Sequence, residues 1–328
     1  MGRAARRLGI ALGIGLALLA AGVGWLALRH LPLFDDQAPA RLDRRPPGVH
    51  RPAERRVVLV SVDGLAPRVL AATPTPTLER LADEGLRAEV ARTVVPSITM
   101  TSHVSMLSGV PPEVHGVTFN RYQPWSAIPV PTLFSRCAEA GLRCGLFAGK
   151  RKFAHLAEAE PGVERYRWAP DAAAVLAEAA RYAAERDPDL LVVHLAEVDL
   201  AGHRAGWDGP VQRAALTGVD ALLGRFVARL CAGAERPLAV LVTSDHGGHG
   251  TNHGTGRPED VRIPWILWGD GIAPGTLPEV STLDTAPTLA ALLDLPPEQA
   301  WVGTARLPAT ARVASTPSRC ADPSLAAR

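Results

Sequence analysis

Cysteine is scarce in this chain of 328 residues. The four present, Cys137, Cys144, Cys231 and Cys320, do not fall in the paired spacing of a zinc finger or ribbon. A small metal-stapled domain is thereby excluded. In an oxidising compartment four cysteines allow three pairings, and Cys137 with Cys144 is the most local, joining a helix to the next strand. Excess charge of either sign is also missing, since 35 basic and 33 acidic side chains leave a net charge of +2. Nothing electrostatic points to nucleic acid. No internal repeat is detectable.

Charge is absent altogether from Leu8 to Leu28. These 21 residues, rising 1.5 Å each as a helix, would span about 31 Å, close to the hydrocarbon thickness of a bilayer. Arg3, Arg6 and Arg7 precede the run and favour a cytoplasmic N-terminus, although Arg29, Arg41, Arg44 and Arg45 follow it. Residues 1–30 are therefore expected to be a membrane anchor. A signal peptide cleaved after Gly22 is the alternative. The localisation expected is membrane-anchored with an extracytoplasmic domain, or secreted if cleavage occurs.

Residues 31–55 are charged and proline-rich, the composition of a spacer. From about Arg56 the pattern alternates between β-rich runs and Ala/Leu-rich stretches such as DAAAVLAEAARYAAE. That alternation predicts one α/β domain over 56–306, with a mostly parallel central sheet flanked by helices. The segment 307–328, rich in Ala, Pro, Ser and Thr, is expected to be frayed or disordered.

Three apolar runs end in candidate ligands: VVLVSVDG at Asp63, LLVVHLAEVD at Asp199, and LAVLVTSDHGG at Asp245 and His246. In an open parallel sheet, residues beyond the carboxyl ends of strands converge on one crevice. Asp199 and His203 are four apart, so one helical turn aims both at a single ion. His246 and His253 flank GGHGTN, a loop able to fold back on itself. Imidazole mixed with carboxylate suits zinc, whereas an all-oxygen set would suit magnesium or calcium. Two such ions about 4 Å apart can activate both the attacking and the leaving oxygen of a displacement at phosphorus. In VVPSITMTSHVSMLSGVPPEVHGVTFN a strand is expected to end near Pro96 and a helix to start by Thr101. The Thr99 hydroxyl then lies where a metal and a helix N-terminus meet.

On the segments SVDG, PSITMTSHVSMLSGVPPEVHGVTFN, EVDLAGH and TSDHGGHGTNHGT the chain resembles the alkaline phosphatase superfamily, in its type I phosphodiesterase and nucleotide pyrophosphatase branch, over about residues 56 to 295. The resemblance implies an alkaline-phosphatase-like sandwich, with Thr99 as nucleophile and Asn120 holding the phosphoryl group. It also implies two zinc ions, one on Asp63, Thr99, Asp245 and His246, the other on Asp199, His203 and His253. A single Asp after an apolar strand is more often a turn or helix cap. Seven residues matching in order are not. The activity implied is two-metal hydrolysis of phosphodiester or nucleotide pyrophosphate bonds through a phosphothreonine, on a small phosphorylated substrate such as a nucleotide or a lipid headgroup.

There are departures. The family's usual Phe-Pro-Asn after the nucleophile reads Met100, Thr101, Ser102, and the Cys/Ser-x-Pro-x-Arg of sulfatases is missing. No arginine beside the nucleophile helix meets the extra charge of a monoester, which favours diesters. Lys150 and Lys152 resemble the substrate-carboxylate lysines of phosphonoacetate hydrolases; a solvated basic loop is the plain alternative. Phe119, Tyr122 and Trp125 could stack on a base or headgroup, with Tyr122 the candidate substrate contact, or could simply pack. His103 and His115 are expected to hold the nucleophile helix and the turn after it, His194 to be a satisfied core histidine, and His249 to face solvent or support the ligand loop. Three other activities stay open: transfer of a phosphorylated headgroup at the membrane, phosphonoacetate-type cleavage, and metal-stabilised binding without turnover. An intact Thr99 beside six further ligands argues against the last.

Overall fold

The computed structural model describes residues 35–45, 48–307 and 319–321. Ten strands form one sheet: β1 (Arg41–Asp43), β2 (Arg56–Val62), β3 (Leu86–Arg92), β4 (Cys144–Ala148), β5 (Val163–Trp168), β6 (Leu190–Leu195), β7 (Leu238–Thr243), β8 (Arg262–Ile263), β9 (Trp265–Gly269) and β10 (Gly275–Ser281). Their order is β1-β5-β4-β6-β2-β7-β9-β3-β10, with β8 beside β3. The central run from β5 to β7 is parallel, and antiparallel pairs lie outside it, β9 against β7 and β3, and β1 against β5.

Strands buried on both faces need apolar side chains at every position, and β2, β6 and β7 are buried throughout. Val57 and Leu59 point into one core, Val58, Val60 and Val62 into the other, as a two-residue period requires. Seven of the helices are α1 (Pro76–Glu84), α2 (Thr99–Ser108), α3 (Leu133–Glu139), α4 (Ala172–Arg186), α5 (Glu197–Ala205), α6 (Pro210–Ala232) and α7 (Thr285–Leu292). On the first face pack α2, α3 and α7, through Val104, Phe134 and Leu289 among others. The second is covered by α1, α4 and α6, through Leu81, Leu176 and Leu223. The expected sandwich with a largely parallel centre is the fold observed.

Two stretches expected to stand off the domain touch it. Within the 31–55 spacer, β1 pairs with β5 (Leu42 opposite Tyr166) and Asp35 accepts a bond of 2.7 Å from the Tyr122 amide. An edge strand presents unpaired backbone groups, and a three-residue segment suffices to satisfy part of that row. Within 307–328, Arg319–Ala321 form a short 3-10 turn whose first amide donates to Asp270. The anchor or signal segment, residues 1–30, lies outside the described residues. Among the described residues no helix is long and apolar enough to cross a membrane.

The disulfide is not the local pairing. Cys231, near the end of α6, joins Cys320 across 89 residues, while Cys137 and Cys144 are buried thiols. Nearness in sequence does not set the side-chain geometry a disulfide requires; docking of the 319–321 turn on α6 does.

Glu160 carries a pH dependence of its own. Burial lifts its carboxyl from 4.5 to about 7, against a hydrogen bond from Thr132 and the nearby Arg44. An acid whose folded pKa is raised penalises the folded state fully above that pKa, and the penalty fades as pH falls from about 7 to 4.5. Glu160→Gln is therefore expected to stabilise the protein at pH 8 by on the order of 1–3 kcal/mol and to change nothing at pH 4. Denaturant midpoints at the two pH values check this; equal midpoint shifts would refute it.

Candidate active site

Asp63 directly follows β2, and Asp245 and His246 follow β7 on the neighbouring parallel strand. Asp199 and His203 sit one turn apart on α5, which begins after β6. His253 returns on the loop after His246, where their rings stack with centroids 3.6 Å apart. Strand order thus converts three distant segments into one cluster at a single sheet edge. Gly64, with φ +74°, lets the end of β2 meet α5; a Cβ there would lie 2.9 Å from the Asp199 Cα.

The ligand atoms form two triads, Asp63 with Asp245 and His246, and Asp199 with His203 and His253. Both fit divalent cations by the chemistry left unsatisfied. Asp63 Oδ1, Asp199 Oδ1, Asp245 Oδ2 and His246 Nε2 are buried without a hydrogen-bond partner, which folded proteins avoid unless another group binds there. The imidazoles are set for metal. Each directs Nδ1 at a backbone carbonyl, His203 at Thr251, His246 at Gly247 and His253 at Ser97, at 2.8 to 2.9 Å. A carbonyl only accepts, so Nδ1 carries a proton and Nε2 is the nitrogen turned to the site, able to bind an ion once any second proton has left. His203 Nε2 lies 3.3 Å from Asp199 Oδ1, and His246 Nε2 3.3 Å from Asp63 Oδ1.

Crowded carboxylates perturb the whole cluster. Burial and the charge of Asp63 raise the Asp245 carboxyl to about 6. Burial alone would lower His246, but Asp245 and Asp63 outweigh it and lift the imidazole to about 9. Against burial, the Lys150 charge holds the Asp63 and Asp199 carboxyls low, while Asp245 stays raised and gains from added positive charge.

Thr99 is fully buried and opens α2, two residues earlier than its expected start. The N-cap residue, Ile98, offers this helix no side-chain cap, and a distant side chain takes up one of its first-turn N–H groups instead. Asn120 accepts from the Met100 amide at 3.2 Å through Oδ1, which orients the amide beside Thr99. Lys152 Nζ donates to the Asn120 carbonyl at 3.0 Å, and burial followed by the charge of Lys150 lowers its pKa to about 8. Lys150 reaches further in: Nζ lies 2.6 Å from Asp63 Oδ2, 2.6 Å from Asp199 Oδ2 and 3.4 Å from Thr99 Oγ1. Neither lysine belongs to a solvated loop.

Other expected residues divide. Tyr122 is not brought to the cluster: it packs in the core and its hydroxyl donates to Glu158 at 2.6 Å, which corrects its assignment as a stacking contact. Phe119 is core as well, edge-on to His155, whereas Trp125 is exposed. His103 ties α2 to β2 through the Thr99 carbonyl and Ser61, and His115 bonds Ser105 and the Val117 amide. His249 donates to buried Asp260 at 2.6 Å, and Asp260 also accepts from Thr255, bracing the ligand loop.

Three supporting residues escape sequence reading. His194 is a buried core histidine as expected, yet its Nε2 bonds Asp63 Oδ2 at 2.7 Å. Trp207 meets His203 edge-on and donates from its indole to the Gly64 carbonyl at 3.0 Å. Asp260 lies beyond the motif altogether. An aromatic four residues after a ligand histidine, in HRAGW, was the one available signal.

A largely parallel sheet between helical layers, with the Thr99 helix beside two candidate metal triads at the strand ends, is the alkaline-phosphatase type of fold. The chain belongs to the type I phosphodiesterase / nucleotide pyrophosphatase family, whose sequence profile matches residues 57–127 and 150–260, more than half of its length. It is 25% identical over 222 residues to human ectonucleotide pyrophosphatase/phosphodiesterase family member 7, covering 60% of this chain and 48% of that one. It is 24% identical over 294 residues to GPI ethanolamine phosphate transferase 1 of Emericella nidulans, covering 76% and 30%. In structure it superposes on murine ectonucleotide pyrophosphatase/phosphodiesterase 5, solved in complex with AMP, with TM-score 0.64 and 15% identity over 74% of this chain and 96% of that one. The matches thus span less than half the length of these two curated relatives.

Proposed function

We propose that this domain cleaves phosphate ester bonds of small phosphorylated compounds, foremost phosphodiesters or nucleotide pyrophosphates, through a phosphothreonine at Thr99. The observation that carries the reading is a buried hydroxyl at a helix N-terminus beside two triads, four of whose six ligand atoms are buried without a hydrogen-bond partner. Asp63, Asp245 and His246, with Thr99, would hold one metal ion and Asp199, His203 and His253 another, zinc being the ion this donor set favours. Ions bound there would supply Lewis acidity and offset developing negative charge.

The chain's own groups position and balance the reaction. The helix N-terminus and the Lys150 ammonium favour loss of the Thr99 proton. Its oxygen then forms a bond to phosphorus as the bond to the leaving oxygen breaks. Water then attacks phosphorus in a second displacement that breaks its bond to the Thr99 oxygen, releasing the phosphate monoester and returning a proton to the hydroxyl. Asn120, its Oδ1 already engaged, keeps its amide N–H groups for a non-bridging phosphoryl oxygen.

The expected profile of the full chain on p-nitrophenyl substrates is diester above monoester, with no sulfate hydrolysis. Asn120→Ala should remove about 2–4 kcal/mol of transition-state stabilisation, roughly a 30- to 900-fold loss in kcat. A parent enzyme that strongly prefers monoesters would sink the diester assignment. The similarity to an ethanolamine phosphate transferase supports a second reading, in which an acceptor hydroxyl replaces water. Product partitioning in favour of an added alcohol would select it.

A further inference from the structure

The chain holds 33 arginines and only two lysines, Lys150 and Lys152, and both lie at the candidate centre. The contacts of Lys150 are selective. Its Nζ takes Asp63 Oδ2 and Asp199 Oδ2, each at 2.6 Å. The other oxygen of each carboxylate, Oδ1, is the one left without a hydrogen bond and the one nearest the histidines of its own triad, His246 and His203. One ammonium therefore links the two triads through oxygens that neither needs for metal. Its side chain is 14% exposed, so water shields the interaction poorly.

We propose that Lys150 is a positioning residue of the metal centre, a fixed internal cation that clamps one carboxylate from each triad and leaves the opposite oxygens aimed at the ions. This deepens the metal reading given above and rests on it. The choice of lysine has a physical reason. A compact ammonium on a narrow stem needs less room between two buried carboxylates than the larger planar guanidinium. Lys150 also has a consequence for the metal-free protein: among the described residues it is the only lysine or arginine in contact with both Asp63 and Asp199. Removing it should strand buried carboxylates when metal is absent, and much less so when metal is present.

The test is thermal unfolding of the full chain, parent and Lys150→Met, after chelation and again with added zinc. The expected result is a fall in Tm of more than about 5 °C for Lys150→Met in the chelated protein, with less than half that difference once zinc is restored. Lys152→Met, altering the neighbouring lysine that contacts Asn120 and not the carboxylates, should show no zinc-dependent difference. If Lys150→Met cannot be recovered metal-free, Lys150→Met combined with Asp199→Asn should be, because one stranded charge has gone. Equal losses with and without zinc, or no loss in either state, would overturn the clamp while leaving the metal reading intact. A parent Tm unmoved by zinc would overturn the metal reading, and the clamp with it.

Discussion

Thr99→Ala is expected to lower turnover by about 10⁴-fold or more, while the protein keeps its fold and its capacity for metal. The hydroxyl is buried at the start of α2, and the contact described for it is the Lys150 ammonium at 3.4 Å, so little packing or hydrogen bonding is lost with it. Six of the seven candidate ligands are untouched. Thr99→Ser should recover part of the activity, since it restores an oxygen nucleophile without the methyl group. Steady-state kinetics with metal analysis on the same preparations decide the matter. A Thr99→Ala protein within tenfold of the parent would remove the covalent mechanism, whatever became of the metals.

Metal removal is the second large effect. Three carboxylates from Asp63, Asp199 and Asp245 are essentially inaccessible to solvent and close enough to raise the Asp245 carboxyl to about 6. Four buried ligand atoms have no hydrogen bond. Chelation should reduce turnover to background and lower Tm by about 5–15 °C, because ions that bind only the folded chain stabilise it by mass action. Re-addition of zinc should restore both, with close to two ions per chain. Full activity in excess chelator, or magnesium alone in the purified protein, would refute the two-zinc centre. The two experiments separate: loss of Thr99 removes the chemistry and spares stability, whereas loss of metal removes both.

Lys150 lies beside both the proposed nucleophile and the two aspartates, so the expected preference for diesters over monoesters is a measure of how far its charge is spent on those aspartates. Lys150→Met read on both substrate classes would report it.

Local pattern carried a great deal here. Apolar runs ending in Asp63, Asp199 and Asp245–His246 follow from strand periodicity, and the four-residue step from Asp199 to His203 follows from one helical turn. The donor types then limit the ion, and the Gly-rich loop returns His253. Residue type and short spacing are enough for such features, because each depends on backbone geometry within a few positions.

What stayed hidden depends on segments far apart in the chain. Lys150 reads as either a substrate contact or part of a solvated basic loop until β4 is placed beside β6, whose following helix carries Asp199. His194 is a core residue in any reading, but only the pairing of β6 with β2 sets it against Asp63. Tyr122 follows the nucleophile block closely yet turns into the core towards Glu158. Cys231 meets Cys320 because a terminal turn docks on α6, and β1 joins the sheet because an edge strand leaves backbone groups to satisfy. Periodicity determines which face of an element is buried; the partner that face or side chain meets is chosen by packing and by the need to pair buried charge, and that choice exists only in three dimensions.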